Sequence, residues 1–322
     1  MTPELIDIHA HLISPTFRAR CESVGILGGI GEPLAEWHEQ SVLEFLDAAG
    51  IRTQVLSFVT SGFAIPDIVF WKRLCRESNE ELAEIVSRNS PRFAGLAMLP
   101  IGDEEACLRE LEYALDILKL DGVALPSNAM GVYLGDPCTE SLFQELSNRR
   151  ALVHLHPNDI ADGDAHTRPN WFPYLLELPF DTTRAVANLV LSGTMQRNPN
   201  VNVVLAHAGG AVPFLAARLQ TAVFSVPGLQ ERLPQGVIHE LRRFYYDVAM
   251  STNDYAMKSL CKLVSADHIL LGTDYPYMPA PAVLHSIALL EHTGQFTDSD
   301  LAKIKYENAQ RLLPIMGSSG HV

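Results

Sequence analysis

The feature that most constrains the fold is an alternation of short apolar runs with longer segments of helical periodicity, which continues along the chain. Eight apolar runs predict strands, at residues 5–11, 53–58, 93–99, 122–126, 151–157, 202–208, 244–249 and 269–274. Eight segments with helical spacing of apolar residues lie between or after them, at residues 41–49, 71–89, 104–119, 139–150, 182–197, 212–222, 254–264 and 282–291. Strands that alternate with helices form parallel sheets with right-handed crossovers. Eight such units predict an α/β fold, a (β/α)8 barrel of the TIM type.

Three long loops and a terminal segment are added to this barrel. Residues 12–40, 157–180 and 223–241 are expected to form the walls and lid of a site, because long loops after barrel strands lie over the C-terminal face. Residues 297–314 predict an extra C-terminal helix. A doubly wound sheet is the alternative, but the GxGxxG and GxxxxGK[ST] motifs typical of it are missing. The length fits one barrel with additions, so residues 1–322 are predicted to form a single domain.

The charge balance excludes two classes of partner. The chain carries 24 basic and 38 acidic side chains, a net charge of −14 at pH 7. Such a chain repels phosphate backbones and anionic lipids, so neither nucleic acid nor membranes are expected as partners. The sequence contains no recognisable membrane-spanning run or signal peptide. Five scattered cysteines without a CxxC pair are typical of reduced thiols, and we expect a soluble cytoplasmic protein.

Two of the 12 histidines lie at the end of the first predicted strand. His9 and His11 are two residues apart, so their imidazoles project to the same face of the strand and can converge on one ion. His154 and His156 repeat this spacing at the end of the fifth strand. We prefer His156 as the functional residue because barrel catalytic groups come from strand C-termini. His154 is interpreted as a core histidine bonded to a carbonyl group.

Two further polar residues follow the sixth and eighth predicted strands. His207 begins the sequence His-Ala-Gly-Gly, whose glycines allow a tight turn close to a ligand, and it can act as a general acid or base. Asp274 ends the eighth strand and is either a ligand or a cap of the following segment. Together with His9, His11 and His156 these residues collect at one end of the barrel. Three neutral imidazoles and one carboxylate suit Zn²⁺, with Mn²⁺, Fe²⁺ and Co²⁺ as alternatives.

Six segments distributed along nearly the whole chain carry a family resemblance: Asp7–His11, Pro91–Leu96, Asp121–Val123, Pro179–Arg184, His207–Gly210 with Pro213 and Phe214, and Leu271–Pro276. They resemble the decarboxylase branch of the amidohydrolase superfamily, which includes aminocarboxymuconate-semialdehyde, γ-resorcylate and fungal 6-methylsalicylate decarboxylases. The resemblance implies a metal-dependent carbon–carbon lyase on a TIM-like barrel. His9 stands where several hydroxybenzoate decarboxylases have glutamate, which favours the methylsalicylate group.

The resemblance also implies roles for individual residues. The implied metal ligands are three histidines and one aspartate: His9, His11, His156 and Asp274. His207 would be the acid/base residue beside the metal, Tyr174 and Tyr277 would line the substrate pocket, and Arg218 would reach a neighbouring subunit's pocket. Members of the family form homodimers or homotetramers, which we therefore expect here. Lys119 precedes the fourth strand instead of ending it, which favours a single metal over a lysine-bridged pair.

The resulting hypothesis is non-oxidative decarboxylation of an ortho-hydroxylated aromatic acid of the salicylate or 6-methylsalicylate type. The metal would hold carboxylate and phenolate, and His207 or Asp274 would protonate the ring carbon. Asp7 or a backbone carbonyl would orient the imidazoles of the first strand. His38 and His166, in the long loops, are further candidates to reach the substrate.

One observation narrows the substrate class, and two alternative functions remain open. Arginines that would hold a second carboxylate have no counterpart where we would place them, which favours a monocarboxylic acid. A mononuclear metal-dependent hydrolase of a lactone or amide would use almost the same residues and is the first alternative. A metal-free binding protein is the second, and the complete five-residue set disfavours it.

Overall fold

The computed structural model describes residues 5–29, 32–59, 65, 67–129, 131–158, 173–292 and 294–313. Eight strands form the central sheet: β1 (Leu5–His11), β2 (Ile51–Ser57), β3 (Phe93–Met98), β4 (Gly122–Pro126), β5 (Leu152–His156), β6 (Asn202–Leu205), β7 (Tyr245–Asp247) and β8 (Ile269–Leu270). Their order in the sheet is their order in the chain, and every neighbouring pair is parallel.

The segment that follows β8 closes the sheet against β1. The amide of Ile8 donates to Leu271 O at 3.0 Å, and the amide of Asp274 donates to His9 O at 2.8 Å. The amide of His11 then donates to Tyr275 O at 2.8 Å. These bonds continue the ladder beyond β8 as far as Tyr275, so the predicted (β/α)8 barrel is confirmed.

Helices connect the strands on the outside of the barrel. They are α1 (Pro15–Ser23), α2 (Glu39–Ala49), α3 (Ile68–Arg88), α4 (Glu104–Glu112), α5 (Glu140–Arg149), α6 (Glu177–Leu191), α7 (Thr194–Arg197), α8 (Val212–Gln220), α9 (Leu229–Arg232), α10 (Val237–Leu241), α11 (Asp254–Leu263), α12 (Ala280–His292), α13 (Asp298–Ala302) and α14 (Asn308–Leu312). The π-helical turns Tyr113–Ile117 and Lys303–Glu307 extend α4 and join α13 to α14. In the described part of the chain, no helix is both long and apolar enough to cross a membrane.

The main core lies between the strands and these helices. Its largest fully buried side chains include Trp71 of α3, Phe143 of α5 and Tyr246 of β7. A second buried cluster joins strand residues such as Ile8 and Leu96 to Ala309 of α14. The C-terminal helical segment, predicted as one extra helix, therefore packs on the barrel in three helical pieces.

The long loops only partly follow the prediction. Residues 12–40 contain α1 and the short hairpin of Gly28–Gly29 with Glu32–Pro33, neither of which the sequence indicated. Of residues 157–180, positions 159–172 lie outside the described residues. Residues 223–241 contain α9 and α10 and contribute no residue to the wall of the cavity described below. This part of the expectation was wrong because the segment precedes a strand, and loops that precede strands belong to the opposite end of a barrel.

Candidate metal centre

The C-terminal ends of β1 and β5 and the segment after β8 bring four predicted residues together. One donor atom from each of His9, His11, His156 and Asp274 lies within 4.8 Å of all the others, and all four residues are buried. His11 Nε2 is 2.9 Å from Asp274 Oδ1, and His9 Nε2 is 3.1 Å from His11 Nε2. Four donor atoms this close can share one ion, which is the arrangement that the sequence predicted.

Two imidazoles are held by a hydrogen bond at their outer nitrogen. His9 Nδ1 donates to Asp247 Oδ2 at 2.9 Å, and His156 Nδ1 donates to Pro157 O at 2.8 Å. A neutral imidazole with its proton at Nδ1 keeps a lone pair on Nε2. This pairing of an outer hydrogen-bond acceptor with an inner lone pair is typical of metal-ligating histidines.

The electrostatics of the cluster favour a cation. Burial alone would raise the pKa of Asp274, but hydrogen bonds from His11 and His9 more than offset this and hold the pKa well below its usual value. Burial lowers the pKa values of His11 and His156, so these imidazoles are neutral. Burial alone would lower the pKa of His9, but Asp247 and Asp274 outweigh it and raise the pKa to about 10, so a cation that binds there must displace the Nε2 proton. Buried carboxylates among mostly neutral imidazoles fit a divalent cation of borderline softness.

Asp247, at the end of β7, is the site residue that sequence reasoning missed. It is fully buried, and its Oδ2 accepts hydrogen bonds from His9 Nδ1 and His154 Nε2, both at 2.9 Å. Its Oδ1 accepts from the amides of His207 at 3.0 Å and Ala249 at 3.1 Å. The signal was available: Asp247 is a lone acidic residue in the seventh apolar run, and the predicted strand extended two residues past it.

Two expectations about supporting residues were wrong in detail. His154 bonds to the Asp247 carboxylate, whereas we expected a carbonyl partner. Asp7 makes no hydrogen bond to an imidazole of the described residues; it accepts from the amides of His9 at 3.1 Å and Thr273 at 2.9 Å, and from Gln54 Nε2 at 2.8 Å. Asp7 therefore fixes the backbone that carries two of the four clustered residues. Asp247 has the orienting role because only β8 and the segment after it separate β7 from β1, and Gly272 of that segment leaves the space between the two side chains open: a Cβ atom there would lie 2.9 Å from His9 Cβ and 3.0 Å from Asp247 Cβ.

His207 lies beside the four clustered residues, immediately after β6. Its ring centroid is 4.9 Å from that of His9, and its Nδ1 donates to Ala249 O at 3.3 Å. The backbone of His207 is left-handed, with φ of 54°, a conformation that is uncommon outside glycine and concentrates at functional sites. Gly210 completes the turn at a position where any other residue would place its Cβ atom 2.0 Å from Pro179 O. This tight turn brings the imidazole to the cavity wall, and its Nε2 makes no hydrogen bond to the described residues.

A cavity of about 660 Å³ opens above the cluster. His11, His156, His207 and Asp274 form its polar part. Both tyrosines predicted to line a pocket, Tyr174 and Tyr277, are in its wall. The Tyr277 ring centroid is 5.5 Å from that of His11, and burial raises the pKa of its phenol to about 12. The remaining described wall is largely apolar, so the cavity suits a small aromatic molecule with one polar end.

Of the three other predicted residues, two are described by the structure, and neither of these lines the cavity. Arg218 is exposed on α8, so its predicted contact with a neighbouring subunit stays a prediction. His38 is exposed and contributes no atom to the wall. His166 lies outside the described residues.

Comparison with known proteins assigns the chain to a family. The sequence profile of the amidohydrolase family matches residues 6–315. The chain belongs to the amidohydrolase family. Decarboxylase macB of Penicillium terrestre is 32% identical to this amidohydrolase over 89% of the chain and 88% of the relative. The 6-methylsalicylic acid decarboxylase of Penicillium expansum is 30% identical, covering 89% of each protein. The resemblance to decarboxylases is therefore confirmed.

Solved structures share the fold of this amidohydrolase. A crystal structure of an amidohydrolase II protein, 27% identical, has a TM-score of 0.89 and covers 96% of this chain and 99% of that chain. A dihydroxybenzoic acid decarboxylase from a Polaromonas species, 22% identical, has a TM-score of 0.79 with 97% coverage of each chain. That structure holds manganese and the inhibitor 2-nitroresorcinol. At this identity the likeness establishes the barrel fold alone.

The network around Asp247 predicts the effect of one substitution in this amidohydrolase. Asp247→Asn is expected to weaken metal binding by about 10-fold to 100-fold, the usual cost of losing a residue that orients a ligand. The amide removes a negative charge and cannot accept all four hydrogen bonds that reach the carboxylate. Competition between the folded protein and a chromophoric chelator measures the change.

Glu110→Gln is the matched control for this measurement. Glu110 is also buried, but it bonds to Asn79 and Arg76 between α3 and α4 and not to the cluster. The Glu110→Gln protein should bind the metal with the same affinity as the unsubstituted protein. An Asp247→Asn protein with unchanged affinity would contradict the role assigned to this carboxylate.

Proposed function

We propose that this protein is a metal-dependent, non-oxidative decarboxylase of a small hydroxylated aromatic carboxylic acid of the salicylate type. One observation carries the proposal: a buried cluster of three histidines and one aspartate lies at the polar end of a largely apolar cavity. The substrate class of the Penicillium expansum relative supports the same choice. We further propose His9, His11, His156 and Asp274 as the metal ligands.

The cavity wall supports an acid with one carboxylate. Among the described lining residues there is no lysine or arginine, so the protein itself offers no second anion-binding side chain there. Val59 and Leu178 pack with Tyr174 and Tyr277 in one apolar cluster that can contact the faces and edges of a ring. A monocarboxylic ring with a small apolar substituent satisfies both ends of this cavity, whereas a second carboxylate would be buried without a partner.

A divalent metal held by the four ligands would supply the positive charge that attracts the carboxylate and the adjacent phenolate oxygen, and so would fix the position of the ring. The residues of the chain would position the ring and move one proton. His207 lines the cavity, and burial lowers its pKa, so its Nε2 can accept the phenolic proton when the substrate enters. Asp274, also in the wall, is the other acceptor within the site.

The proton is then returned to a different atom of the substrate. His207 or Asp274 donates it to the ring carbon that carries the carboxylate, forming a carbon–hydrogen bond. The bond between this ring carbon and the carboxylate breaks, and CO₂ leaves. The electron pair of that bond restores the aromatic ring. Water later protonates the phenolate and gives the phenol. The hydroxide that remains is released or combines with CO₂ to form bicarbonate. The apolar wall favours this step because charge on the carboxylate disappears as CO₂ forms.

We propose zinc as the metal. Three imidazoles and one carboxylate match the ligands that zinc takes in proteins, and borderline ligands of this kind also accept Mn²⁺. Manganese is present in the Polaromonas structure, so it is the rival to test. Metal content of the purified protein, followed by reconstitution with each ion, distinguishes the two.

We also propose that the protein forms a homodimer or homotetramer in which Arg218 completes a neighbour's pocket. Arg218 lies on α8. Phe214 and Phe224 are close to it in sequence, and their side chains are 81% and 88% exposed. Burial of such rings against another subunit is favourable. Light scattering that gave the mass of one chain at assay concentrations would contradict this assembly.

The proposed reaction predicts a defined substrate profile. Salicylate-type acids should yield CO₂ and the corresponding phenol in equal amounts, and 6-methylsalicylate should be turned over faster than acids with a second carboxylate. Lactones and amides serve as the comparison set because the same residues could support hydrolysis. Turnover of lactones or amides, with no CO₂ released from any hydroxybenzoate, would contradict decarboxylation and favour hydrolysis.

Substitution of His207 should separate proton transfer from metal binding. His207→Asn is expected to lower kcat by about 100-fold to 10,000-fold, the usual contribution of a general acid or base, and to retain the metal. His11→Ala is the contrasting variant, which should lose the metal together with the activity. Metal content and kcat are measured on the same samples. A His207→Asn protein with nearly normal kcat would assign the proton to Asp274 instead.

A further inference from the structure

Asp181 is a buried carboxylate on the first turns of α6 that the proposed reaction does not use. It has no exposed surface, and its Oδ1 accepts from Tyr133 Oη at 2.5 Å. Its Oδ2 accepts from Ser127 Oγ and from Asn128 Nδ2, the latter at 3.0 Å. These partners follow β4, so one carboxylate ties α6 to the loop after the fourth strand.

The same carboxylate reaches the peptide that follows His156. The amide of Asn158 donates to Ser127 Oγ at 2.8 Å and lies 3.4 Å from Asp181 Oδ2. That amide shares one planar peptide unit with Pro157 O, the atom that accepts from His156 Nδ1 at 2.8 Å. Fixing the direction of the N–H therefore fixes the direction of the carbonyl. The carbonyl in turn sets the rotation of the imidazole.

Other bonds restrain this peptide at its two sides. The amide of Ser127 donates to His156 O at 2.8 Å, and Asn158 Nδ2 donates to Asn128 O at 3.0 Å. Ser127 thus contacts the segment both before and after Pro157. Because all these groups are buried, water does not readily replace a lost partner, and loss of one bond leaves a polar atom unpaired.

We propose that Asp181 is a positioning residue for the metal centre, acting through Ser127 and the Pro157–Asn158 peptide to hold the His156 imidazole in its ligating orientation. Asp181 touches neither metal nor substrate. The proposal rests on the assignment of His156 as a metal ligand in the proposed function. It does not depend on which reaction the metal centre performs.

Two variants interrupt the chain of contacts at different points. Asp181→Ala removes the carboxylate, and Ser127→Ala removes the hydroxyl that joins it to the Asn158 amide. Both should weaken metal binding by about 10-fold, the lower end of the usual cost for groups outside the ligand shell. Asp181→Asn should restore normal affinity, because its oxygen can replace Oδ2 while its NH₂ donates to Tyr133 Oη.

Neighbouring residues of α6 supply matched controls. The Thr182 hydroxyl is buried and has no hydrogen-bond partner among the described residues. The Thr183 hydroxyl donates to Pro179 O at 2.7 Å and accepts from the amide of Ala211 at 2.9 Å, in the loop of His207. Thr182→Val and Thr183→Val should therefore keep normal metal affinity, whereas general loosening of α6 would lower it in every variant.

The experiment measures the affinity of each folded variant for Zn²⁺ by chelator competition, with circular dichroism to verify folding. Loss in Asp181→Ala and Ser127→Ala, recovery in Asp181→Asn and no change in the threonine variants support the proposal. Normal affinity in folded Asp181→Ala, or equal loss in Thr183→Val, overturns it. If Asp181→Ala does not fold, Ser127→Ala decides in the same way. An unsubstituted protein that binds no zinc overturns the proposal as well, whereas one that binds zinc but releases no CO₂ overturns only the decarboxylase assignment.

Discussion

The carboxylate of Asp247 connects four parts of the barrel around the proposed metal site. It is buried at the end of β7, where its four hydrogen bonds reach His9, His154, His207 and Ala249. Burial alone would raise its pKa, but the charge interaction with His9 and hydrogen bonds from His154 and His9 outweigh burial and lower the pKa, so Asp247 keeps its charge in the barrel interior. A buried charge of this kind is stable only with partners, and these partners fix both an imidazole of the cluster and the turn that carries His207, the proposed acid/base residue.

The backbone contributes a second constraint on the same residues. His207 and Asp274 both have left-handed φ angles, 54° and 63°, and so does Met250 in the cavity wall at 55°. Each of these residues follows a barrel strand, where the chain turns away from the sheet. Hydrogen bonds to Asp247 and Asp7 hold the segments around them, and the unusual conformations direct side chains into the cavity.

Much of the barrel and of the cluster could be predicted because both depend on local pattern. The two-residue spacing of His9 and His11 puts their imidazoles on one face, and apolar runs fix where strands end. The predicted strand at 122–126 agrees with β4 at both ends. Helix α1 was missed because its apolar face consists of only Phe17 and Cys21, too few to produce a visible period.

The residues that support the cluster were harder to predict because their roles depend on neighbours distant in sequence. Asp247 lies 238 residues from His9, and no spacing rule relates them. Asp7 is close to His9 in sequence, which made it the natural choice to orient that ring, yet its carboxylate points to Thr273 and Gln54. Which of several buried carboxylates faces a given imidazole is decided by the closure of the barrel, and sequence alone does not show that.

Zinc titration of the metal-free protein is the most direct test of the central claim, that one metal ion held by three histidines and one aspartate supports decarboxylation. The protein is stripped with a chelator, zinc is added in steps, and CO₂ release from 6-methylsalicylate is followed together with bound metal. The account predicts no release without metal, a linear rise to one equivalent and no further rise beyond it. Full activity with negligible bound metal, or a rise that continues to two equivalents, would contradict it.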